Sequence, residues 1–63
     1  MRFTIELSWG EENETMFNVE IEGKEHEIMA SLIWVTRGSL MASRAKRAIA
    51  YDDQGFPVVS YIQ

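Results

Sequence analysis

His26 stands between Glu25 and Glu27, the one place in the chain where an imidazole and carboxylates are adjacent. A carboxylate beside a histidine can orient it as a general base. Catalysis needs a nucleophile or electrophile as well, and the chain has no cysteine. None of its serines stands in the Gly-x-Ser-x-Gly turn that exposes a nucleophilic hydroxyl. The triplet therefore reads as a solvated surface, no catalytic residue is assigned, and the chain is not expected to be an enzyme.

Two oxygen-rich stretches are the next candidates. Glu11, Glu12 and Glu14 cluster around Asn13, but their spacing is not that of an EF-hand loop, and the nearby glycine precedes the acids. Asp52-Asp53-Gln54-Gly55 pairs two aspartates with the residue types that a tight turn requires. Both stretches read as turns, and neither a metal nor a cofactor is assigned.

The basic cluster is more specific. Arg37, Arg44, Lys46 and Arg47 are the only charged residues between Ile28 and Tyr51, and Trp34 or Tyr51 could give them a stacking surface for bases. A dedicated nucleic-acid domain is normally basic overall, whereas this chain carries a formal net charge of −4. A strand followed by two helical segments around Arg37-Gly38-Ser39 resembles the ribbon-helix-helix layout. Here, however, two strands precede the helical region, and the ribbon would carry Glu6, or Glu20 and Glu22, toward the phosphates. Direct binding of DNA or RNA by a dimer through these four cations is thus the alternative reading.

The acids support the principal one. Residues 1–27 sum to −6 and residues 28–51 to +4, so the net charge conceals a segregation of sign along the chain. Glu11, Glu12, Glu14, Glu20 and Glu22 would present an acidic face to a basic partner and accelerate encounter. Trp9, Met16, Met29, Trp34, Met41 and Tyr61 belong to the types enriched where proteins meet, although most are expected to be needed in so small a core. The expected function is non-enzymatic protein binding by a small acidic module. By analogy of size and charge alone, phage or mobile-element proteins that inhibit or modulate a host factor are of this kind.

These side chains need a scaffold. Sixty-three residues fit a single domain, which buries only about 60 % of the surface its unfolded chain exposes. With no disulfide possible, self-association into a homodimer is an expected source of stability. Absence of cysteine fits a reducing, cytoplasmic location. The amino terminus alternates instead of presenting a leader's basic and apolar segments. The apolar run Ile28–Val35 falls far short of the roughly 20 residues that span a bilayer.

Phe3, Ile5, Leu7 and Trp9 alternate with Arg2, Thr4, Glu6 and Ser8, and Phe17, Val19 and Ile21 alternate with Met16, Asn18, Glu20 and Glu22. Two half-buried strands joined through Gly10–Glu14 follow from this period of two. A third short strand at Glu25–Ile28 competes with a helix starting near Glu25, and glutamates in the first turn favour the helix. Ile28, Leu32, Val35 and Ser39 form one stripe, with Met29, Ile33, Thr36 and Leu40 alongside, suited to covering a sheet. Gly38 would interrupt one helix or separate two, and Met41, Ala45, Ala48 and Ile49 extend the helical pattern to about Lys46. Phe56–Ile62 reads as a strand after the Asp52–Gly55 turn, with Pro57 near its beginning, where a missing amide donor is tolerated, while Ala48–Tyr51 fits either helix end or strand. The expected class is α+β, a small antiparallel sheet of three to four strands with one long or two consecutive helices on one face, in the order β-β-α-β or β-β-α-β-β.

Overall fold

The computed structural model describes every residue from Met1 to Gln63. Strands β1 (Arg2–Gly10) and β2 (Asn13–Glu20) precede helix α1 (Glu25–Ser43), and strands β3 (Arg47–Tyr51) and β4 (Pro57–Ile62) follow it. The four strands form one antiparallel sheet in the order β2-β1-β3-β4, with α1 on one face. The class is α+β, with a single helix.

The alternation in β1 decides which face is dry. Phe3, Ile5 and Leu7 are buried beneath the helix, while Thr4, Glu6 and Ser8 lie on the opposite face. In the centre of the sheet Ile5 pairs with Ala50, and Leu7 with Ala48. Those two alanines are fully buried, and their small side chains leave room for Leu32, Thr36 and Leu40 to descend from α1. The Thr36 hydroxyl donates to the Leu32 carbonyl at 2.7 Å, so the one buried polar side chain is satisfied within its own helix.

Helix α1 starts where the sequence offers a reciprocal partner. The Lys24 amide donates to Glu27 Oε1 at 2.9 Å, satisfying an N–H that the helix leaves unpaired, and Glu25 and Glu27 lie at the positive end of its dipole. Gly38 neither breaks nor divides the helix, because Leu32, Thr36 and Leu40 anchor it in the core on both sides of the glycine.

The helix ends at Ser43, short of Lys46. Arg44 takes a left-handed conformation, φ 60°, its amide approaches the Met41 carbonyl at 3.4 Å, and the Ala45 amide donates to the Leu40 carbonyl at 3.2 Å. This is a Schellman ending, with Leu40 and Ala45 both buried in the core. Ala45 and Ala48 are therefore buried by a turn and a strand, not by a continuing helix, and Ala48–Tyr51 belongs to β3.

Trp9 ties the sheet to this ending, its Nε1 donating to the Ser43 carbonyl at 2.9 Å. Asp52 organises the β3–β4 turn, its Oδ1 accepting from the amides of Gln54 and Phe56 at 2.9 Å each. Gly55, at φ +86°, supplies the positive φ there. The β1–β2 turn is shorter than the sequence predicts, since Gly10 pairs with Asn13 and only Glu11 and Glu12 lie outside the ladder.

Candidate functional site

The helix packs on β1, β3 and β4 and does not reach β2. β2 is an edge strand whose residues are exposed, apart from half-buried Val19. The phase of its ladder shows what this edge offers. Met1 and Ile21 exchange both backbone bonds, at 2.7 and 2.9 Å. Alternation in an antiparallel pair then makes Arg2↔Glu20, Thr4↔Asn18, Glu6↔Met16 and Ser8↔Glu14 the non-hydrogen-bonded pairs. The amides and carbonyls of Glu14, Met16, Asn18 and Glu20 consequently point away from β1, into solvent.

The side chains of those four residues occupy the sheet face opposite α1, so backbone and side chain are displayed together. Glu14 and Glu20 stand about 20 Å apart at the ends of the strand, with Met16, 59 % exposed, and Asn18 between them. Asn18 is held by Thr4, whose hydroxyl donates to Asn18 Oδ1 at 2.9 Å. On the other face of the strand Phe17 remains exposed because no helix covers it. Glu11 and Glu12 occupy the turn that leads into β2, and Glu22 lies just beyond its end. The five glutamates singled out in the sequence thus follow one sheet edge from end to end.

The cations do not converge in the same way. Arg37 is on α1, Arg44 caps the helix, Lys46 lies in the following bend with its amide bonded to the Ser8 carbonyl, and Arg47 begins β3. Of the four, only Arg37 lies within α1, because the chain leaves the helix at Ser43. Arg47 and Glu14 flank Ser8 on adjacent strands, yet no side-chain hydrogen bond joins a carboxylate to a guanidinium or ammonium group.

His26 is exposed on the first turn of α1, and the Glu27 carboxylate turns back to the Lys24 amide instead of toward the imidazole. No three His, Asp or Glu side chains come together in a metal-binding arrangement. On the open sheet face the Tyr51 hydroxyl donates to Glu6 Oε1 at 3.3 Å. Burial, then the Glu6 charge, raises the phenol above its ordinary pKa.

Among the aromatic and methionine side chains, Trp9 and Tyr61 are half-buried against the core, whereas Met16, Met29, Trp34 and Met41 are exposed, contrary to the expectation that most would be internal. The outward backbone groups of β2 went unread in the sequence because they depend on which strand pairs are hydrogen-bonded. No helix is long and apolar enough to cross a membrane. No family model matches the chain, and neither a curated protein nor a solved structure is significantly similar to it.

Proposed function

We propose that this chain is a small acidic, non-enzymatic protein-binding module that captures an extended basic segment of a partner by strand addition to β2. The observation that carries this reading is the β2 edge itself, with the outward amides and carbonyls of Glu14, Met16, Asn18 and Glu20 between acidic ends. Main-chain pairing supplies affinity in such complexes, and alternate side chains supply selectivity. Here Glu14 and Glu20 favour lysine or arginine on the incoming strand, while Met16 and Phe17 offer apolar contact. Nature usually blunts a free edge with lysine or proline. This one instead carries glutamates, which repel a second acidic copy and admit a basic guest. Occupying a partner's basic segment would deny it to other ligands, nucleic acid included, and so modulate a host factor.

The test is titration of the full chain with an alternating lysine–valine peptide. Met16→Pro removes one outward donor without breaking a β1–β2 ladder bond, and is expected to abolish peptide binding while the far-ultraviolet spectrum is retained. Lysine at Glu11, Glu12 and Glu14 together should slow association at low salt by about tenfold. Peptide binding unaffected by Met16→Pro would sink the strand-addition reading, and an unchanged on-rate would remove its electrostatic part.

A further inference from the structure

The outer face of α1 is unlike the exposed face of an ordinary amphipathic helix. From Ile28 to Ser43 the only ionisable side chain is Arg37. Trp34, 74 % exposed, and Met41, 63 % exposed, project from this face although the core has no place for them. A two-layer α+β domain normally turns charged residues outward here, so an indole and a thioether on display mark a surface that is covered.

We infer that the occupant is a second copy of this chain, docked helix against helix in antiparallel orientation. Ala30, Trp34, Gly38 and Ala42 follow one another at intervals of four and are all exposed, forming a single ridge opposite the buried row of Leu32, Thr36 and Leu40. A two-fold axis crossing this ridge midway sets Trp34 against Gly38 of the second copy, and Ala30 against Ala42. Each large side chain thereby meets a notch, since nothing lies within 4 Å of a Cβ placed on Gly38. A two-fold interface requires such self-complementarity, and a ridge centred elsewhere on this helix would set indole against indole or leave the notch empty.

Charge selects the same orientation. The first turn carries Glu25 and Glu27, whereas Arg44 and Lys46 follow the last turn beside Met41. Antiparallel docking brings the acidic beginning of each helix to the basic end of the other, twice per dimer. Parallel docking would set like against like. These cations form no hydrogen bond with the chain's own carboxylates, so they are free to meet those of the second copy.

Sedimentation equilibrium of the full chain, from micromolar to millimolar concentration, tests this surface independently of the β2 edge. A dimer is expected, with Trp34→Ala and Gly38→Leu each weakening it at least about tenfold, and with raised salt weakening it further. Gly38→Leu is the sharper variant, because it fills the notch yet replaces a helix-interior glycine with a good helix former, so the monomer should melt higher while the dimer weakens. Met16→Pro, which removes peptide capture, should leave the dimer intact. A monomer at every concentration would overturn the inference. So would a dimer no weaker in Gly38→Leu than in the parent chain, or one that Met16→Pro disrupts, which would move self-association to the sheet edge.

Discussion

Two charged residues, Glu12 and Arg44, hold left-handed backbone, each at φ 60°. For a residue with a Cβ this costs about 1 kcal/mol or somewhat more, and glycine removes most of the penalty. Arg44→Gly should therefore stabilise the fold by about 1 kcal/mol, raising the thermal midpoint by about 5 °C in calorimetry of a domain this size. A midpoint that falls would mean the Arg44 side chain contributes more than its backbone costs. Tyr51 makes a prediction in the other direction of pH. Its folded pKa lies above the ordinary value of 10.0, so the folded state holds the phenolic proton more tightly than the unfolded chain does. The associated stability is complete below pH 10 and is lost as pH rises through the folded pKa. Denaturant titrations at alkaline pH should show stability declining less steeply in Tyr51→Phe, although that variant is less stable at neutral pH by about 1 kcal/mol through loss of the bond to Glu6. An unchanged alkaline slope would remove the assigned coupling.

At the scale of elements, β1 and β2 were legible because Phe3, Ile5, Leu7 and Trp9 in one and Phe17 and Val19 in the other keep a period of two, broken only by Met16 on the polar face. The helix was legible at its start, where Glu25 and Glu27 do what acids in a first turn do, and illegible at its end. Met41, Ala45, Ala48 and Ile49 continue a helical period, and alanine is compatible with any element. What ends the helix is a backbone reversal at Arg44, a residue with no intrinsic preference for that conformation, stabilised by burial of Leu40 and Ala45 in the core. Gly38 misleads for the opposite reason, since propensity is a local cost of about 1 kcal/mol that core packing on both sides outweighs. Gly38→Ala should recover about that amount, read as a higher denaturation midpoint with an unchanged slope; no gain would mean the helix bends at this residue. Trp34 was the deeper misreading. Two positions from both Leu32 and Thr36, it lies some 200° around the helix from the buried row, so its exposure was implicit in the same spacing that identified the core.

For the whole molecule, the two proposed surfaces lie on different parts of the fold, since α1 does not reach β2. The candidate acids were legible as a set, but their meaning was not. Only the strand order, with β2 at the edge, turns the five glutamates between positions 11 and 22 into the border of one free strand. A dimer formed through the outer faces of α1 would leave both β2 edges open, and so would bind two basic segments at once. Linked sites convert the second binding event into an intramolecular one, which raises avidity for a multivalent target by about a hundredfold or more when the geometry permits both to engage. Gly38→Leu, used at a concentration where its weakened dimer has dissociated but with an intact β2, should bind a single free peptide as the parent chain does, and should lose that excess on a surface carrying many copies of the peptide. Surface plasmon resonance at low and high peptide density separates the two terms: the low-density dissociation rate should be unchanged by Gly38→Leu, and the high-density rate should rise to meet it. Equal dissociation rates for parent and variant at high density would show that the two edges of the dimer do not act together.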